Sequence, residues 1–314
     1  MLSFNRGKDI AVFQNGKMKG KKIRLYGEHN FKQNQKPDIT IDRSEYPQLL
    51  TKEFYKEQSI TPAKRRTFND LLIGKGNMDN ISEETEDQLE EAKSFIDNEL
   101  RTKVYFDDVS TKLFPLPQKD SERIYVPAPS GSGKSTFIGM YLDEIRKMKN
   151  GKGRTIYIFS RVEKDEPLDR HKKVVRIPLE DDYFEKKPLL IEDFKNGILI
   201  FDDIDTILNK KLVKYLRNFR DDVLETGRHY GITTISTSHL IANFLATRTL
   251  INEANAIVLF PRGSSFSAIS NFLDRYMGFN KSQIKYISQL PTRWIYIWKE
   301  YPKYIIHEKG VILF

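Results

Sequence analysis

The 314-residue chain carries 52 Lys and Arg against 43 Asp and Glu, a formal charge of +9, and it has no cysteine. Disulfides and thiolate metal sites are therefore excluded, and the histidines (His29, His171, His229, His239, His307) never fall at metal-ligand spacing, which argues against a catalytic zinc. With 39% apolar residues and a mean hydropathy of -0.55 there is enough for a core, yet no apolar run approaches the roughly 20 residues that span a bilayer, so neither membrane insertion nor secretion is expected.

In the first 40 residues nine Lys and Arg face three acids, and apolar stretches at 10–13 and 23–26 flank Asn15-Gly16, a hairpin signal. This reads as a basic β-hairpin or arm, suited either to touching DNA or to keeping a solvated sheet edge from aggregating. Residues 36–80 are mixed and irregular, with a second basic cluster at Lys64-Arg65-Arg66. Residues 83–99 are strongly acidic, and Leu89, Ala92, Phe95/Ile96 and Leu100 recur at helical spacing, which predicts an amphipathic helix with an acidic outer face. A short strand at 104–106 and a proline-bearing connector at 114–117 follow. Residues 1–119 are thus read as an accessory region and 120–314 as the main domain.

The main domain opens on a short apolar strand at 123–126 and the sequence A-P-S-G-S-G-K-S-T at 128–136. This fits the phosphate-binding pattern GxxxxGK[ST], with Ala128 in place of the first glycine. Phe137, Tyr141, Ile145 and Met148 then recur at helical spacing, so the motif sits between a strand and a helix. Gly131 and Gly133 let the backbone curl around phosphate, and Ser130, Ser132 and Thr136 complete the loop. Lys134 is expected to reach the outer phosphates of ATP and Ser135 to hold Mg²⁺.

Strands are predicted at 154–160 and 173–177, and a helix with its exit at 180–196. Next comes a tetra-apolar strand, I-L-I-F, ending in Asp202 and Asp203. Parallel strands deliver such carboxylates to the edge where α/β sheets bind ligands. Asp202 is the expected Mg²⁺ partner and Asp203 the general base, with capping of the next helix as the alternative. Residues 208–224 predict a helix with Leu208, Leu212, Tyr215/Leu216, Phe219 and Val223 on one side and Lys210, Lys214 and Arg217 on the other. G-R-H at 227–229 leads into the strand I-T-T-I-S-T-S-H, placed beside the Asp202 strand with His239 at its tip as a nucleotide sensor. An aromatic hairpin at 293–298 and 303–307 closes the sheet, and its alternation places Trp294 and Trp298 in the core rather than on bases.

The ordered set S-G-S-G-K-S-T, I-L-I-F-D-D, G-R-H, I-T-T-I-S-T-S-H and then L-A-T-R-T-L-I-N-E-A-N-A-I-V-L-F resembles the poxvirus-type genome-packaging ATPases of large eukaryotic DNA viruses, a branch of the FtsK/HerA P-loop translocases. The resemblance covers residues 124–260, and the chain departs from it where His239 stands in place of the family's usual Gln. It implies a mostly parallel RecA/ASCE-like sheet flanked by helices, beside the smaller N-terminal region and the C-terminal β-hairpin. It also implies an ATP-driven motor that assembles as a pentameric or hexameric ring and threads double-stranded DNA into a capsid, with capsid or portal proteins as further partners. The place of action would be the host cytoplasm, in a virus factory, or the virion. An arginine finger from the neighbouring subunit is part of the implication, with Arg248 and Arg228 as the candidates. Two other readings stay open: a cellular or plasmid translocase or helicase, and a nucleotide-dependent switch or scaffold protein.

Overall fold

The computed structural model describes residues 1–27, 39, 42–78, 81–106, 110–179, 184, 187–242 and 244–314. Its strands are, in chain order, β1 (Leu2–Ser3), β2 (Lys8–Phe13), β3 (Lys22–Leu25), β4 (Lys103–Tyr105), β5 (Leu113–Pro115), β6 (Arg123–Pro127), β7 (Ile156–Phe159), β8 (Val174–Arg176), β9 (Ile198–Phe201), β10 (Thr233–Ser238), β11 (Ala256–Leu259), β12 (Ile295–Trp298), β13 (Tyr304–His307) and β14 (Gly310–Leu313). Ten of them form one sheet in the order β4-β14-β13-β12-β11-β6-β10-β9-β7-β8. From β11 to β8 neighbouring strands run parallel, and from β11 out to β4 they run antiparallel. The expected mostly parallel α/β sheet is therefore present, with β10 inserted between the phosphate-loop strand β6 and the aspartate strand β9.

The parallel strands β9 and β11 are apolar throughout because both faces are covered, while β10, T-T-I-S-T-S, is buried though mostly polar. Every residue of β9 and β11 is buried. The helix Lys134–Lys147 packs Phe137, Ile138, Tyr141, Leu142 and Ile145 on one face. On the other face, Leu212, Leu216, Phe219 and Val223 of the helix Lys210–Thr226 meet Phe159 and Phe201. Leu208 departs from its expected place: the helix starts two residues later, after the Asn209 cap, and Leu208 stands 86% exposed. Trp294 and Trp298 are 7% and 5% exposed, so they pack in the core as expected.

The basic hairpin forms as β2 and β3, joined through Gly16 at a φ of +73°, and it becomes part of a four-stranded sheet, β1-β3-β2-β5. The connector at 114–117 contributes the strand β5 to it, because Leu113 and Phe114 carry enough apolar surface to be buried. Residues 28–38 of the expected arm lie outside the described residues, as do 180–183 and 185–186 of the helix expected at 180–196; 191–194 is a 3-10 turn. The irregular reading of 36–80 is corrected. Helices Tyr46–Leu49, Lys52–Glu57 and Arg65–Leu72 occur there and bury Leu50, Phe54, Tyr55, Phe68 and Leu72 against Leu89, Ala92 and Ile96 of the helix Glu83–Thr102. They are too short to show a period. The boundary at 119/120 is crossed by the large sheet, since β4 pairs with β14 and becomes its edge.

One buried acid sits under the phosphate-loop helix. Glu122 accepts hydrogen bonds from Tyr141 Oη and from the backbone N–H of Gln118 and Lys119. Burial outweighs these bonds and pushes its pKa up to about 7. Between pH 4.5, its ordinary value, and about 7, the folded state holds a proton that the unfolded state has lost, so this group makes stability fall as pH rises. His307 works the other way: burial lowers its pKa to about 4, and stability falls as pH drops from 6.5 towards that value. The two effects oppose each other in an unfolding titration of the native chain. The difference between Glu122→Gln and the parent isolates the first, and urea unfolding should show that difference rising in favour of the variant from about pH 4.5 to 7. A pH-independent difference would mean that folded Glu122 is ionised throughout.

Candidate functional site

The site grows out of strand register. Ser236 of β10 lies beside Phe201 of β9, so Thr237 falls next to the first residue beyond β9, Asp202. On its other side Thr237 is level with Val126 of β6, whose chain turns into the phosphate loop two residues later. The ends of three parallel strands therefore bring the loop, the two aspartates and His239 together at one edge of the sheet.

The loop has the expected curl. Gly131 and Gly133 have φ of +76° and +99°, and Gly133 caps the helix that begins at Lys134. Lys134 is buried, with Nζ donating to the Ala128 carbonyl at 2.7 Å and lying 3.2 Å from Asp203 Oδ2. His239 Nε2 is 3.2 Å from the same carboxylate oxygen, and its Nδ1 is 3.5 Å from Ser130 Oγ. Lys134, Asp203, His239 and Ser130 thus form one connected group.

Asp202 is buried and takes a hydrogen bond from Ser160 Oγ at 2.8 Å. Thr237 Oγ1 is 2.9 Å from Asp202 Oδ1 and 2.9 Å from Asp203 Oδ1, and it accepts the Asp203 N–H at 2.8 Å. Its one proton serves one carboxylate at a time. Burial raises the Asp202 pKa, the Ser160 bond opposes this, and the neighbouring Asp203 adds to the rise. A cation at Asp202 would favour the ionised form. Asp203 itself has a φ of +45°, a left-handed backbone unusual for a residue with a side chain. The bond from its N–H to Thr237 holds that kink. It does stand at the N-cap of the short turn Ile204–Thr206, but its side chain caps nothing there and faces Lys134 instead.

Ser132 and Ser135 are half-buried in the loop and Thr136 is exposed. The two arginine candidates are not in this group. Arg228 lies in the turn Gly227–Tyr230 before β10, at the opposite edge of the sheet, and is exposed. Arg248 is exposed on the helix Phe244–Glu253. Glu253, on the same helix as Arg248, pairs with Arg123 at 2.9 Å. Neither Arg228 nor Arg248 forms an ion pair with a described residue. Within the Lys210–Lys214–Arg217 stripe, Arg217 pairs with Asp205 at 2.7 Å, while all three residues line a surface cleft of about 580 Å³.

Sequence reading missed Thr237, Ser160 and the Ala128 carbonyl. The polar end of β10, S-T-S-H after I-T-T-I, was the available signal for Thr237, and nothing local marks Ser160.

No family model matches the chain. The uncharacterized protein V3 of Sputnik virophage is 38% identical to it over 204 residues, which span 63% of this chain and 80% of V3. The chain belongs to the V3 family. The V3-family chain is also similar to the solved structure of B204, the DNA-packaging ATPase of Sulfolobus turreted icosahedral virus. That match has 16% identity, covers 62% of this chain and 98% of B204, and has a TM-score of 0.41. A further match, to the cytoplasmic domain of the Type VII secretion ATPase EccC of Thermomonospora curvata, has 11% identity, covers 67% of this chain and 28% of that one, and has a TM-score of 0.40.

The curl of the loop depends on glycine at its helix cap. Gly133→Ala leaves room for the new carbon, whose nearest neighbour is the Phe260 ring at 3.8 Å, but forces alanine to a φ of +99°. Urea unfolding should show a loss of roughly 1–3 kcal/mol, the cost of a strained backbone rather than of a clash. An unchanged midpoint would mean that the loop relaxes without cost.

Proposed function

We propose that this V3-family protein is an ATP-hydrolysing motor that moves double-stranded DNA and packages a viral genome into a capsid. The observation that carries the reading is the group at the loop edge, where Lys134, Asp202, Asp203 and His239 meet a glycine-rich turn at the ends of parallel strands. Residues 130–136 would cradle the phosphates of ATP with backbone N–H groups, and the Lys134 ammonium would exchange the Ala128 carbonyl and Asp203 for phosphate oxygens. Asp203, freed from the lysine, then presents a carboxylate to the attacking water as general base, and His239 at 3.2 Å senses whether the terminal phosphate is present.

Among the described residues no three His, Asp or Glu converge on a cation site. One carboxylate and one hydroxyl beside phosphate oxygens is, however, a donor set that suits Mg²⁺. Asp202 and Ser135 would hold it, and when bound it neutralises charge across the outer phosphates.

The DNA assignment rests on the resemblance together with the charge of +9, the basic hairpin β2–β3 and the exposed Lys210 and Lys214. The family membership, with a virophage protein as the relative, favours packaging over a cellular translocase. A ring of subunits gives the exposed Arg248 or Arg228 a role they lack in one subunit, stabilising transition-state charge on a neighbour's ATP. Action in a host-cell virus factory or the virion, on a capsid or portal, belongs to the same proposal.

Steady-state ATP hydrolysis with and without long double-stranded DNA tests it. Turnover should be stimulated by DNA, weaken as salt rises, increase per subunit with protein concentration, and fall about 10²-fold or more in Lys134→Ala. Lysine-dependent hydrolysis indifferent to DNA would replace the motor with a nucleotide-dependent switch. The finger has its own check. Arg248→Ala should lose about 10³-fold in turnover, and mixing it with Lys134→Ala should restore part of it, because each subunit supplies what its neighbour lacks. No recovery in the mixture removes Arg248 and leaves Arg228 for the same experiment.

A further inference from the structure

The turn at residues 261–265 comes up against the phosphate loop from the side of β11. Strand β11 runs parallel to β6, so its end at Leu259 reaches the edge where the loop begins. Phe260 is buried, with its ring 3.8 Å from where a Cβ on Gly133 would stand. The chain then turns back sharply, the Gly263 N–H donating to the Phe260 carbonyl at 3.0 Å. At Gly263 the approach is so close that a Cβ would lie 2.6 Å from Ser132 Oγ and 3.2 Å from its Cβ. Two polar groups on this turn lack a polar partner among the described residues. Arg262 is exposed and forms no ion pair with a described residue. The Ser264 hydroxyl is buried and has no hydrogen-bond partner among the described residues. A buried hydroxyl without a partner among the described residues is unfavourable unless something polar completes it, and Ser264 directly follows Gly263, which lies against the phosphate loop.

We propose that this turn is the second wall of the nucleotide site, with Arg262 binding the phosphates of the nucleotide held by its own subunit and Gly263 permitting the approach. The guanidinium would supply charge-assisted hydrogen bonds on the side of the loop away from Asp203. This deepens the ATP-site reading above and rests on it. It makes Arg262 a binding residue in the same subunit, distinct from an arginine contributed by a neighbour.

Equilibrium binding of a fluorescent ATP analogue with Mg²⁺ to the full chain is the test, with Lys134→Ala as reference. Arg262→Ala should weaken binding roughly tenfold to a hundredfold, and Arg262→Lys should recover part of that loss. Gly263→Val, whose side chain displaces the wall, should weaken it as well. Because Arg262 is exposed and unpaired with described residues, the unfolding midpoint without nucleotide should stay at the parent value, while the rise produced by nucleotide shrinks. The loss must be the same at every protein concentration. A loss that appears only when the chain is concentrated enough to assemble would make Arg262 a residue acting across subunits and overturn the proposal. Parent-like affinity in Arg262→Ala, with Lys134→Ala impaired, overturns the second wall alone. A parent chain that binds no nucleotide overturns the ATP site and this wall together.

Discussion

Two adjacent carboxylates at the end of a buried strand are the constraint around which the rest of the structure is arranged. Asp202 and Asp203 follow four apolar residues of which none is exposed, and the first of them is itself buried. Like charges so placed repel each other and resist desolvation, and they persist only where donors and cations surround them. Ser160 comes from the end of β7, Thr237 from β10 and Lys134 from the loop after β6, so three different strands supply the compensation. The sheet order, with β10 between β6 and β9, places those groups together. The strand order thus supplies the partners of these carboxylates as well as the packing.

The opposite edge of the sheet is pinned by a different device. Arg154, just before β7, donates to the carbonyls of Asp120, Asn196, Gly197 and Gly231 at 2.6–2.9 Å. One guanidinium fork thereby ties the chain entering β6, β9 and β10 into one plane. Rigidity at that edge leaves the loops at the other free to carry the function.

Much of this was legible in the residues. The loop, its strand and its helix are marked by glycines, by Lys134-Ser135 and by the spacing of Phe137, Tyr141 and Ile145, all local signals. Asp202 and Asp203 stand out because they end a tetra-apolar strand, and His239 because it stands at the tip of the strand beside it. The first third of the chain was harder to read, because helices of four to eight residues there bury their faces against a distant partner, the helix Glu83–Thr102. Ser160 was invisible for a related reason, since its role exists only once β7 and β9 are in register, and the polar end of β10 does not single out Thr237 until β10 and β9 are aligned. Leu208 failed because a helical period was continued past its Asn209 cap.

The pairing of β4 with β14 bears on how the molecule is made. Lys103 lies opposite Ile312, Val104 opposite Val311 and Tyr105 opposite Gly310, so an early segment is hydrogen-bonded to a late one. On a ribosome the acidic helix Glu83–Thr102 emerges long before its adjoining strand has anything to pair with. Through that interval an edge of backbone donors and acceptors stays open, in a nascent chain that includes the wholly apolar strands β9 and β11. The acidic outer face of that helix, with Glu83, Glu84 and Glu86 in its first turn, keeps the waiting segment charged and in water. Surface charge that does nothing for the finished sheet can thus serve the chain during its synthesis.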